Sequence, residues 1–249
     1  GTAADAEQTL SATLLDDDDP PVVTVSLNKA TLAEALGTVE LTATLDAVSA
    51  KDISVTLLYT GDAITTTDYI VAESIALAAG SQSASITLTA VSDVLDEVDE
   101  VLTVNVIEAT NARVDAGQQA LTASIVDDDL PPEVSLSVDN ASINEAAATA
   151  IVTVTLDAVS AKDVTINLAY SGTATSGGTD YSKSDSLVIA AGSTTGMVTL
   201  TATQDVLDEN DETVMVDIDS VTHGTESGSQ QVTTRITDDD APPTVPLSR

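Results

Sequence analysis

Carboxylates are the side chains of this sequence that recur in number and at spacings able to do chemistry. Cysteine is absent and there is one histidine, His223, so thiol catalysis, disulfide staples and Cys/His zinc sites are excluded. The acidic residues come in a fixed order: Glu34, then Asp68, then the run Asp93, Asp96, Glu97, Asp99 and Glu100, then Asp127, Asp128 and Asp129. The same order returns as Glu145, Asp180, the run Asp205, Asp208, Glu209, Asp211 and Glu212, and finally Asp238, Asp239 and Asp240. Two such charges about 4 Å apart repel by roughly 4 kcal/mol at an effective dielectric near 20, so a fold that gathers them needs a counter-charge. A donor set made of oxygen alone selects a hard cation, and a flexible, many-toothed oxygen site favours Ca²⁺ over the stricter octahedral Mg²⁺. Taken singly, each acidic run reads as a solvated loop; the recurrence of the whole constellation is what points to a cation. Neither an EF-hand spacing nor a glycine-rich nonapeptide is present. Carboxylate pairs also serve glycosidases, but those need a cleft with sugar contacts, and two copies of a poor cleft do not make an enzyme.

The recurrence has a period. The acidic run ending in two prolines stands at Asp16 to Pro21, at Asp127 to Pro132 and at Asp238 to Pro243, at intervals of 111 residues. That is the length of one ordinary domain. Asp46-Ala-Val-Ser-Ala-Lys-Asp52 returns unchanged as Asp157 to Asp163, whereas Asp68-Tyr69 and Asp93 to Glu97 return 112 residues on, as Asp180-Tyr181 and Asp205 to Glu209. One residue is therefore inserted in a turn between Asp52 and Asp68. The expected organisation is residues 1–19 as the last strand and acidic end of a preceding copy, with Leu10 to Leu15 lining up with Leu121 to Val126. Residues 20–130 and 131–241 follow as two full repeats, and 242–249 as the opening of a next one, so the sequence reads as a piece of a longer array.

The elements that must position these carboxylates are strands. Apolar residues alternate at Val23, Val25 and Leu27; at Val39, Leu41, Ala43 and Leu45; at Ile53, Val55, Leu57 and Tyr59; around Ser74 to Leu77; at Ile86, Leu88 and Ala90; at Leu102, Val104 and Val106; and at Leu121, Ala123 and Ile125. The second copy repeats the pattern, and no window shows helical periodicity. Hydrophobic residues make up 43% of the chain, with no Phe or Trp and four Tyr, so the core is aliphatic and the chain is not of the disordered acidic kind. Seven short strands with one polar face each, separated by turns at Gly37, Gly61, Gly80, Gly117, Gly172, Gly177-Gly178, Gly192 and Gly228, predict an all-β fold: tandem seven-stranded antiparallel sandwiches of immunoglobulin-like architecture. In such a sandwich the loops after strands one, three and five and the exit of strand seven share one end, and these are the segments that carry the carboxylates. Outward rows such as Thr42, Thr44, Thr87 and Thr89 suit a solvated sheet face. His223, in a loop with no equivalent in the first copy, reads as a surface residue, and Lys51 and Lys162 as plain turn residues.

The succession of Glu34 after a first strand, a turn ending Thr-Asp-Tyr, an Ala-Ala-Gly turn, Asp-Val-Leu-Asp-Glu-x-Asp-Glu, and a closing strand into Asp-Asp-Asp resembles the Calx-β domain, nearly end to end in both copies. The resemblance implies calcium ligands at Glu34, Asp68, Asp93, Glu97 or Glu100, and Asp127, Asp128 and Asp129. In the second copy it implies Glu145, Asp180, Asp205, Glu209 or Glu212, and Asp238, Asp239 and Asp240. Asp96, Asp99, Asp208 and Asp211 vary more in the family, and Val101 and Thr213 stand where it often has Phe. The family includes calcium-sensing domains of sodium/calcium exchangers and long arrays in bacterial surface proteins. The expectation is thus a non-enzymatic pair of calcium-rigidified extender repeats from a large secreted or cell-surface bacterial adhesin. Its partners are calcium ions and neighbouring repeats, and the piece itself is a monomer without direct membrane contact. Two other readings remain open, a calcium-sensor pair regulating a membrane transporter and a carbohydrate-binding module. The formal charge of −34 excludes nucleic acid, whose phosphates would be repelled. No signal peptide, transmembrane stretch or lipidation motif is visible.

Overall fold

A computed structural model of the chain describes residues 10–15 and 17–245. Parts of the two flanking stretches, residues 1–9, 16 and 246–249, lie outside the described residues. The first repeat contains β1 (Val22–Leu27), β2 (Thr31–Ala33), β3 (Thr38–Leu45), β4 (Ile53–Gly61), β5 (Tyr69–Ile70), β6 (Ser74–Leu77), β7 (Ser83–Ala90), β8 (Glu100–Thr110), β9 (Arg113–Val114) and β10 (Leu121–Val126). The second contains β11 (Glu133–Val138), β12 (Ser142–Asn144), β13 (Thr149–Leu156), β14 (Val164–Gly172), β15 (Tyr181–Ser182), β16 (Ser186–Ile189), β17 (Thr195–Ala202), β18 (Glu212–Thr222), β19 (Thr225–Glu226) and β20 (Gln231–Thr237). No helix occurs among the described residues.

Each repeat is a sandwich of two five-stranded sheets, ordered β5-β7-β3-β1-β9 and β2-β10-β8-β4-β6 in the first and β15-β17-β13-β11-β19 and β12-β20-β18-β14-β16 in the second. The seven strands read from periodicity are all present. Three more per repeat, of two or three residues each, flank them and bring the total to ten. Alternation cannot show itself in so few residues. The pairing is also not wholly antiparallel, since β1 runs parallel to β9 and β12 parallel to β20. Each sheet ends at both edges in a strand of two to four residues.

Alternate residues bury as a two-sheet core requires. Val23 and Val25 face Leu45 and Ala43 across the β1–β3 ladder, and Val134 and Leu136 face Leu156 and Val154 across β11–β13. In the second repeat one aliphatic cluster joins both sheets through Val134, Val152, Val164, Ile166, Leu200 and Val216. Gly61 and Gly172, at φ 131° and 115°, close the ends of β4 and β14 against β8 and β18. A Cβ on Gly61 would lie 2.0 Å from the Val101 carbonyl oxygen, and one on Gly172 would lie 2.2 Å from that of Thr213.

The four tyrosines form the same pair twice. Tyr69 and Tyr181 are buried beside Tyr59 and Tyr170, with ring centroids 6.0 and 6.4 Å apart. The Tyr59 hydroxyl donates to the Ala72 carbonyl at 2.7 Å, and that of Tyr170 to the Ser184 carbonyl at 2.6 Å. Burial raises the phenol pKa of both Tyr59 and Tyr170 above its ordinary value. Each buried ring directly follows an acidic residue, Asp68 or Asp180, and so pins the turn that carries it.

By compactness the chain divides into two units. Among the described residues, one holds Gly37–Thr89, Val101–Ser124 and the residues before Ala33; the other holds Ala33–Leu36, Ala90–Glu100 and the residues from Ile125 on. The second unit therefore contains the second repeat together with most of the acidic segments of the first. Leu10 to Leu15, expected as a strand, carry none and are exposed. A strand exists only through pairing, and none of the described strands pairs with them.

Candidate metal centres

The two poles share a set of hydrogen bonds at equivalent positions. The Glu34 amide donates to the Val126 carbonyl at 3.0 Å and that of Glu145 to Thr237 at 3.0 Å, tying each glutamate to the end of the closing strand. The Asp93 amide donates to Glu34 Oε1 at 3.0 Å, and the Asp205 amide to Glu145 Oε1 at 3.4 Å. Asp93 and Asp205 turn their own loops, accepting from the amides of Leu95 and Leu207 at 2.8 and 2.7 Å. Asp68 accepts from the Ile64 amide and Asp180 from the Thr175 amide, each at 2.5 Å. Asp99 and Asp211 brace the terminal triplets, accepting at 3.2 Å from the amides of Asp127 and Asp238. Local aspartate-to-amide bonds of this kind give loops a defined shape without regular secondary structure.

Four groups of three carboxylates result, each with ligand oxygens within 4.8 Å of one another: Glu34, Asp127 and Asp129; Asp68, Glu97 and Glu100; Glu145, Asp239 and Asp240; and Glu145, Asp205 and Glu209. Asp180, Glu209, Glu212 and Asp238 line one small recess together with Glu145. Of the residues expected at the poles, Asp128 stands apart, since it is exposed and accepts from the Ala35 amide at 3.1 Å. Asp93 contributes through its amide to Glu34 and belongs to no triplet.

Glu34 and Glu145 are only 5% exposed. Burial first, and then the charges of Asp93, Asp129 and Asp127, push the Glu34 carboxyl above the usual range against the lowering effect of the Asp93 amide. Glu145 is raised in the same way by burial and by Asp205, Asp238 and Asp240. Burial and the adjacent aspartates also raise Asp129 and Asp240, and Glu209 is raised by burial with Asp205, Asp180 and Asp238 around it. Glu212 is pushed up to about 7 by burial, by a hydrogen bond with Asp180 and by the Asp180 charge. The Oδ2 atom of Asp240 is buried and accepts no hydrogen bond. An unsatisfied buried acceptor among raised carboxyls is a site short of positive charge. An all-oxygen donor set with these features fits a hard divalent cation.

One residue read as a turn filler is placed differently. The Lys162 ammonium donates to Asp96 Oδ1 at 2.7 Å and to Asp127 Oδ2 at 3.5 Å. Burial works against its charge, but the hydrogen bond and charge of Asp96, with Asp127 behind it, hold its pKa above that of an ordinary lysine. The nearest thing to a signal in the sequence is the unbroken identity of residues 46–52 with 157–163. His223 also has a counterpart after all. Its Nδ1 lies 3.0 Å from the Asp163 carbonyl oxygen, and Asn111 Nδ2 donates to the Asp52 carbonyl at 2.8 Å, both residues at positive φ.

A family model for the Calx-beta domain matches residues 16–129 and again residues 127–240. The chain belongs to the Calx-beta family. It carries two such domains in tandem, and Calx-beta domains are non-enzymatic calcium-binding domains of structural or regulatory type. Among solved structures the chain is similar to CBD12 from CALX1.2, with 16% identity and a TM-score of 0.38 over 86% of this chain and 99% of that one. It is also similar to the calcium binding domain CBD12 of CALX1.1, with 14% identity and a TM-score of 0.37 over 83% and 96%. The apo-form Calx CBD1 domain aligns at 18% identity and a TM-score of 0.37 over 43% of this chain and 98% of that one. No curated protein matches the chain in sequence.

Proposed function

We propose that the two Calx-beta repeats bind Ca²⁺ at their acidic poles and serve, once rigidified by it, as extender modules of a large secreted or cell-surface adhesin, holding a distal binding domain away from the cell. The observation that carries the calcium part is the buried glutamate, Glu34 or Glu145, held among aspartates in both repeats, with the Asp240 carboxylate left unsatisfied beside one of them. Bound calcium would supply the missing positive charge and cross-link loops that otherwise repel. The residues that would hold it are Glu34, Asp127 and Asp129 with Asp68, Glu97 and Glu100 in the first repeat, and Glu145, Asp205, Glu209, Asp239 and Asp240 in the second. The extender part is supported by the near-identical joints, in which an acidic triplet runs directly into Leu130-Pro131-Pro132 or Ala241-Pro242-Pro243. Proline fixes its own φ and extends the residue before it, which makes a stiff joint.

Calorimetric unfolding in millimolar calcium, in excess chelator and in magnesium tests the reading. An ion at about a hundred times its Kd stabilises by roughly 2.7 kcal/mol per site, so with several sites calcium alone should raise the midpoint by many degrees. Coincident curves in calcium and chelator would reduce the acidic runs to solvated loops. A maximum dimension in solution scattering that does not change with calcium would count against the rigid extender.

A further inference from the structure

Within the second compact unit, the loop Ser160-Ala161-Lys162 is covered by Asp96. The two segments meet as an isolated parallel β-bridge between Asp96 and Ser160, and the Ala161 amide donates to the Asp96 carbonyl at 3.0 Å. The Ser160 hydroxyl donates to Asp96 Oδ2 at 2.7 Å, and Lys162 takes Oδ1. Every polar atom of the Asp96 carboxylate is thus matched, and Asp96 and Ser160 are left 4% and 1% exposed. This is a small interface with a charged centre, complementary in shape, backbone and sign.

Both halves of that interface occur a second time, more exposed to solvent. Residues 46–52 repeat 157–163 letter for letter. Ser49 there is only half-buried, and Val48 is 63% exposed where Val159 is 41% exposed. The same loop walls a hollow of about 230 Å³ whose other side is formed by Asp19, Pro20 and Pro21. At the opposite end of the sequence, Asp208 in Asp205-Val-Leu-Asp-Glu209 is the counterpart of Asp96 and is exposed, as is Leu207 beside it.

We propose that the surface of Ser49, Ala50 and Lys51 beside Pro20-Pro21 is a docking socket for the Asp-Val-Leu-Asp-Glu loop of another copy of this repeat. The fourth residue of that loop, Asp208 when the partner is a second molecule of this chain, would take the place that Asp96 takes on Ser160 and Lys162. The contact is heterologous, a knob meeting a different surface that forms the socket, so one copy can give and receive it at once. It deepens the array part of the proposed function and does not depend on its calcium part.

The absence of cysteine makes a disulfide trap direct. Bridge partners lie about 5 Å apart at Cα, within the span of a disulfide. As a reference, D96C combined with S160C in one molecule should close an internal disulfide. For the proposal itself, S49C and D208C molecules are mixed in a glutathione buffer and the mixed dimer is followed on non-reducing gels. It should form several-fold faster than the dimer of D208C with T199C, which places a thiol on an exposed sheet face. A rate for S49C with D208C no greater than the control overturns the proposal, as does failure of the internal D96C–S160C bond to form. The trap is run in chelator and in calcium. If it fails while calcium still raises the melting midpoint, docking is overturned and the calcium reading stands; if it succeeds in chelator, docking stands without calcium.

Discussion

At the scale of single residues, the poles are where stability and binding pull in opposite directions. Glu145 is buried among carboxylates and its pKa is raised, so in the absence of metal it opposes folding. Glu145→Gln should therefore raise the melting midpoint in chelator, by about 2–4 °C if about 1 kcal/mol of repulsion is relieved, while lowering the midpoint in calcium relative to the unaltered chain. A change of the same sign in both buffers would refute the metal role of this residue. Glu212 sets the pH dependence. Its folded pKa, about 7, lies above the ordinary glutamate value, so the stability tied to its proton is present at low pH and is lost as pH rises through about 7. In chelator the second repeat should melt lower at pH 8 than at pH 5.5. With saturating calcium the trend should vanish, because binding releases that proton and the unfolded glutamate is already ionised at both pH values. Titration calorimetry in two buffers of different ionisation enthalpy should show the release near pH 6.5 and its disappearance at pH 8.5.

At the scale of elements, strands were legible wherever side chains alternated for four residues or more. Val39 to Leu45 and Ala150 to Leu156 announce themselves, whereas β5 and β9, at two residues each, are held only by register against longer neighbours. The poles were legible because one constellation occurs twice, which a solitary acidic loop could not have shown. Lys162 was not, because a lysine beside an aspartate in a turn has a sufficient local explanation; its real partners, Asp96 and Asp127, are 66 and 35 residues away. Glycine at the end of β14 is another element-scale requirement. With its Cβ 2.2 Å from a carbonyl oxygen and φ at 115°, Gly172→Ala must push β14 off β18. It should cost more than about 3 kcal/mol, in the range reserved for backbone conflict. A melting midpoint of the second repeat within a degree of the original would contradict the packing described for that corner.

At the scale of the whole molecule, the charge of −34 acts on every conformation at once. Self-repulsion destabilises a compact acidic chain, and salt screens it over about 8–10 Å near physiological ionic strength. In chelator, raising sodium chloride should raise the melting midpoint steadily; with saturating calcium the same salt series should be nearly flat. A salt series that looks the same in both buffers would mean that the poles are not where the repulsion is concentrated.

Copies of one sequence strung side by side face a hazard that solitary domains do not, because a strand from one copy fits its neighbour as well as its own sheet. The edges of all four sheets answer it. Each is a strand of two to four residues, β5, β9, β2 and β6 in the first repeat and β15, β19, β12 and β16 in the second. So short a row of free amides and carbonyls offers little for a foreign strand to extend. Lengthening any of these edges would turn a well-behaved row of repeats into a chain prone to cross-pairing during synthesis, when several unfinished copies are exposed together.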